Sequence, residues 1–110
     1  MSMKMHDSSK RVQKIIVKID PELIELIPAF LENRGTDIQL MNKALKASDY
    51  EIIERTGHGM KGAGAGFGFE AITEIGAALE KAAQDKDSEL IQKGIDALSH
   101  YVQNLEIIYE

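Results

Sequence analysis

No cysteine occurs among the 110 residues, which excludes disulfide staples, thiolate metal centres and cysteine nucleophiles together. Tryptophan is absent and proline appears only twice, so little in the chain opposes long helices. There is no basic excess. Thirteen Lys and Arg stand against 18 Asp and Glu, a formal charge of −5, and nothing recommends nucleic acid or an anionic membrane as a partner. No apolar run approaches the roughly 18 residues that a membrane span needs. Met1–Lys10 also lacks the apolar centre of a secretory leader. These absences read as a soluble, cytoplasmic chain.

What is present fits one compact domain, because a single core at this length buries roughly two-thirds of the surface of the unfolded chain. Apolar residues make up 44% and charged residues 28%, a globular balance rather than a disordered one. Met1–Lys10 is polar and reads as mobile. Arg11–Ile19 alternates around Ile15, Val17 and Ile19, but no pairing strand is visible elsewhere. It is therefore expected to be an arm laid on the body or a helical turn. Asp20-Pro21 forms a helix start. Leu23, Ile24, Ile27, Phe30 and Leu31 follow at helical spacing, continued by Ile38, Met41 and Leu45. Pro28 and a capping signal at Gly35-Thr36 could interrupt this segment, Pro21–Ala47.

Ser48-Asp49-Tyr50-Glu51 reads as a capping box and a firmer boundary. Ile53 and Met60 mark the buried face of the next helix, and Ile72, Ile75, Leu79 and Ala82 that of the one after. Asp87 or Ser88 starts a last helix whose stripe is Leu90, Ile95, Leu98, Val102, Leu105 and Ile108. The sum is an all-α protein: an antiparallel up-down four-helix bundle over residues 20–110, with an N-terminal extension over 1–19.

Glycine is concentrated: six of the nine fall between Gly57 and Gly68. On a helix turning about 100° per residue, Met60 lies about 20° from Ile53, so both face the core. His58 lies about 140° away, on the solvent side, with Arg55 and Lys61 each about 60° from it. Gly57 and Gly59 flank the imidazole. Glycines there cost a helix about 1 kcal/mol each against alanine, which makes sense if another protein must approach the ring closely. A neutral imidazole is a competent nucleophile, and the two cations would neutralise a phosphoryl group attached to it. An isolated surface histidine is ordinarily without a task; the flanking glycines and Lys61 set this one apart.

Other chemistries fit less well. Gly62-x-Gly-x-Gly-x-Gly68 follows a helical pattern, not the strand a dinucleotide loop requires, and no Gly-Lys-Ser/Thr ending makes it a P-loop. His6, His58 and His100 show no metal-ligand spacing. Glu70, Glu74 and Glu80 read as solvated helix positions, and a small hydrolase lacks an acid or base near the histidine in sequence. Gly62 and Gly64 are expected to let two helices approach, and Gly66 and Gly68 to turn the chain. Phe67 and Phe69 would then close the end of the bundle.

His58-x-x-Lys61-Gly62, with Gly68 six residues beyond and Leu79-Glu80 in the next helix, resembles the histidine-containing phosphotransfer (HPt) domain. Leu26-Ile27-x-x-Phe30-Leu31, with Ile38, Met41 and Ala44-Leu45, is similar to the family's long helix before the phosphorylation site. The likeness covers about residues 20–108. It implies a four-helix kernel with His58 as the phospho-accepting nucleophile and Lys61 stabilising the phosphoryl group. Gly62 and Gly68 would match the structural glycines that clear the docking surface, expected around Arg55, Gly57, Gly59, Gly62 and Gly68.

The resemblance further implies a phosphocarrier without kinase or phosphatase activity, and with no cofactor of its own. Magnesium would come from the partner receiver domain. Response-regulator receiver domains and a hybrid sensor histidine kinase are the implied partners, and a monomer is expected because one face must stay free. A receiver-binding adaptor that takes no phosphate is the alternative. Gly59 and Ala63 stand where the family often has larger or hydroxylated residues, and Phe69 where a small one is usual. The long helix is expected to run through Gly35 with a bend.

Overall fold

The computed structural model describes residues 14–110; the expected mobility of Met1–Lys10, and His6 with it, lie outside the described residues. The chain forms strand β1 (Ile15–Ile19), a 3₁₀ turn (Pro21–Leu23), helices α1 (Ile27–Lys46), α2 (Tyr50–Phe67), α3 (Glu70–Gln84) and α4 (Ser88–Gln103), and strand β2 (Leu105–Tyr109). The helices close a ring in which α1 packs on α2 and α4, and α3 packs on the same two.

Each helix turns an apolar face inward. Ile27, Phe30 and Met41 of α1 meet Ile53 and Met60 of α2, Ile72 and Leu79 of α3, and Ile91, Ile95 and Leu98 of α4 in one buried cluster. Side chains of this kind contribute about 1.5–3 kcal/mol each when fully buried. Phe69 is fully buried and stacks on Phe30 with centroids 5.1 Å apart, while Phe67 lies 4.6 Å from the same ring. The expected closure of the bundle end by these phenylalanines therefore holds. Arg34 is the one charged residue buried among those described. Its guanidinium lies 4.6 Å over Phe30 and its Nε donates to Asp37 at 3.0 Å. Burial pushes the Asp37 carboxyl above its usual range against the pull of Arg34.

Several expectations need correction. The protein is mostly helical but not all-α, because Ile15–Ile19 is neither an unpaired arm laid on the body nor a helical turn. It pairs in parallel with Leu105–Tyr109, from Ile15 opposite Leu105 to Ile19 opposite Tyr109. The last helix accordingly stops at Gln103. Leu105, Ile107 and Tyr109 pack inward by strand alternation, and Ile108 points out. The buried stripe of α4 is Ile91, Ile95, Leu98 and Tyr101, while Leu90 is exposed.

The Asp20-Pro21 start makes only a 3₁₀ turn, with Asp20 accepting from the Glu22 N–H. The long helix begins at Ile27, where Pro28 falls in the first turn and its missing N–H costs nothing. It then runs unbroken through Gly35. The second capping box is shifted by one residue: Asp49, not Ser48, caps α2 by accepting from the Ile52 N–H.

Candidate functional site

The contact between α2 and α3 is set by two glycines. A Cβ on Gly57 would lie 2.8 Å from both Glu80 N and Gly76 O, and one on Gly76 would lie 2.7 Å from Gly57 O and Lys61 N. Only hydrogen fits between these backbones. The helices therefore approach closely enough for a side chain of α3 to reach across the exposed side of α2. Gly64 makes a similar contact with Thr73 farther along.

The side chain that reaches across is Glu80. Its Oε2 lies 3.0 Å from His58 Nδ1, and its Oε1 accepts from Lys61 Nζ at 2.9 Å. Glu80 is largely covered, with 18% of its side chain exposed, whereas the His58 side chain is 68% exposed. The Lys61 ammonium holds the Glu80 carboxyl below the ordinary carboxylate range; partial burial opposes this and His58 adds to it. An ionised carboxylate only accepts hydrogen bonds, so the contact assigns the ring proton to Nδ1. Among the described residues Nε2 has no hydrogen-bond partner, and in the neutral ring it is the atom that carries the lone pair.

Glu80 is thus not the solvated helix position expected from the sequence. It is an acid in contact with the histidine, so the absence of such an acid no longer holds as a ground for excluding other chemistry. The signal that could have found it is Gly76, four residues earlier on α3 and facing Gly57. A glycine pair across two helices announces close approach.

Both expected cations lie beside the ring, each with an acidic partner. Lys61 is beside His58, joined to it through Glu80. Arg55 lies on the other side but is 3.8 Å from Glu51, with both side chains mostly exposed. Glu51, Glu54, Arg55, His58 and Glu80 line one shallow depression, so that side of the ring carries acidic as well as basic groups.

The glycines separate into distinct roles. Gly57 is buried in the helix contact and is not part of an exterior surface. Gly59 and Gly62 are exposed with open space where a Cβ would stand, so Gly62 does not bring helices together as expected. Gly66 is likewise open and lies within α2. Gly68 is the one glycine with positive φ, 87°, and ends α2 over Ile19, about 15 Å along the helix from His58.

Leu40 of α1 with Ile52, Arg55 and Thr56 of α2 forms an apolar cleft next to this face. Among the described residues no group of three or more His, Asp or Glu is placed to hold a metal ion. No described helix is long and apolar enough to cross a membrane.

A family model of the Hpt domain matches residues 25–107. No curated protein and no solved structure matches the chain.

Proposed function

The chain belongs to the Hpt domain family, whose members are phosphocarriers of two-component signalling, and from that premise we propose that His58 carries a phosphoryl group between the aspartates of two receiver domains. The observation that supports this most is the state of the imidazole. It is exposed, held at Nδ1 by Glu80, and free at Nε2.

In the proposed step the Nε2 lone pair attacks the phosphorus of a receiver's aspartyl phosphate. The N–P bond forms, the P–O bond to the aspartate breaks, and the aspartate leaves as a carboxylate. The proton stays on Nδ1, so the ring becomes cationic as it takes the phosphoryl group. Glu80 offsets that charge from its fixed position. Lys61, now on Glu80, lies one turn from the ring and can turn its ammonium to the phosphoryl oxygens. The reverse sequence returns the group to a second aspartate.

Magnesium belongs to the receiver in this reading, and the carrier has no kinase or phosphatase activity of its own. A hybrid sensor histidine kinase supplies the first receiver, and the exchange takes place in the cytoplasm. The connections Ala47–Asp49, Gly68–Phe69 and Asp85–Asp87 are short enough to reverse the chain at each helix end. The reading therefore takes the bundle as antiparallel and up-down. The docking surface centres on His58, with Gly59 and Gly62 clearing its approach and Leu40 and Ile52 forming an apolar rim.

The test is transfer from a panel of labelled phospho-receivers, scored for acid-labile, base-stable label. His58→Gln should take no label and keep the helical circular dichroism and melting temperature of the parent. Binding of receivers without any label would leave the adaptor reading in its place.

A further inference from the structure

Among the described residues, the small sheet leaves β1 with one unpaired edge. Ile15 donates its N–H to Asn104 O at 2.8 Å, and Ile19 O accepts from Glu110 N at 3.1 Å. In a strand, successive residues turn their main-chain groups to alternate sides. Ile15, Val17 and Ile19 therefore bond β2, while Ile16 and Lys18 turn theirs outward. Among the described residues no main-chain group beyond the sheet meets them. Ile16 is also 58% exposed, the most of any large apolar side chain described. A groove adjoins β1, lined by its residues Ile15–Lys18 together with Gly68, Glu70, Ala71 and Tyr101. Two short strands make a marginal sheet alone, and an open edge is a template for another strand.

We propose that β1 pairs antiparallel with β1 of a second copy of this chain, forming a four-stranded sheet in the order β2-β1-β1-β2 about a two-fold axis at Val17. Hydrogen bonding and charge select the register. The outward groups meet only where Ile16 or Lys18 of one copy stands opposite Ile16 or Lys18 of the other. Ile16 on Ile16 sets Lys14 against Lys18 twice, and Lys18 on Lys18 opposes like charges directly; both are unfavourable. Ile16 on Lys18 instead sets Lys14 opposite Asp20 on both sides of the axis.

In that register Val17 meets Val17 and Ile15 meets Ile19 on the inner face. Lys18 keeps its ammonium near Glu110 of its own chain, at 3.9 Å, and its aliphatic stem covers Ile16 of the other copy. The contact lies by Gly68, at the far end of α2 from the imidazole. The free face that favoured a monomer therefore stays free, and the inference stands apart from the phosphotransfer reading.

Sedimentation velocity of the full chain between about 10 μM and 1 mM, the range of a small interface, should show a monomer–dimer equilibrium. Ile16→Pro removes an N–H that β2 does not use and blocks strand addition. It should weaken association at least about ten-fold with unchanged circular dichroism. Register is read separately, in a chain that has no cysteine of its own. When Ile16→Cys and Lys18→Cys chains are mixed and mildly oxidised, the mixed disulfide should exceed the half share of random pairing. Cα atoms of such a pair stand about 5.5 Å apart, within disulfide reach. A monomer at every concentration, an Ile16→Pro chain that associates like the parent, or mixed disulfide at or below half would each overturn the proposal.

Discussion

Glu80 holds a histidine and a lysine with one carboxylate, and this gives it a signature in pH. Its folded pKa is depressed, chiefly by Lys61. The stability it contributes is therefore fully present above the ordinary carboxylate range and is lost as pH falls through the depressed folded value. Melting temperatures measured from pH 6 down to pH 3 should fall more steeply for the parent than for Glu80→Gln below about pH 4. Parallel curves would mean that Glu80 does not couple to folding. The histidine and lysine were legible in the sequence as a pair on one helix face. Glu80 was not, because its role depends on how closely another helix approaches.

At the scale of the element, glycine has opposite effects at positions two residues apart. Gly57→Ala would push a methyl into the backbone of α3, with Glu80 N and Gly76 O at 2.8 Å, and should cost about 1–3 kcal/mol of stability. Gly59→Ala meets nothing within 4 Å and should stabilise the helix by about 0.5–1 kcal/mol. Urea denaturation of both variants checks the pair, and equal effects would contradict the assigned helix contact.

The helix ends supply a second case. Gly68, Ser48 and Lys86 all have positive φ and end their helices with the same bonds: Phe69 N to Gly64 O, Asp49 N to Ala44 O, and Asp87 N to Ala82 O. Only one of the three is glycine, so Lys86→Gly should raise stability by about 1 kcal/mol in the same experiment. A loss of stability would show that the Lys86 side chain contributes more than its backbone strain costs.

Helical periodicity made the buried faces around Ile53, Met60, Ile72 and Leu79 readable, because period 3.6 is a local property. The end of α4 misled for a local reason too. Leu98, Val102, Leu105 and Ile108 satisfy a helical stripe, while Leu105, Ile107 and Tyr109 satisfy strand alternation. The choice is made by Ile15–Ile19, at the other end of the chain and opposite Leu105–Tyr109, which no short window of sequence contains.

For the whole molecule, two surfaces stand apart. The bundle's middle presents His58 between α2 and α3, and its far end joins the two termini of the described chain in a sheet. Four helices, one closely packed pair among them, fix the imidazole without enclosing it, which suits the proposed exchange with two receivers in turn. In the proposed transfer His58 takes a phosphoryl group on Nε2 while Glu80 keeps the proton on Nδ1. The most direct measurement is nitrogen-edited NMR of the imidazole after transfer from a phosphorylated receiver. Phosphorus coupled to Nε2 of His58, with Nδ1 still protonated, is the predicted result. Phosphorus on Nδ1 or on another residue, or a folded domain that no phospho-receiver can label, would contradict it.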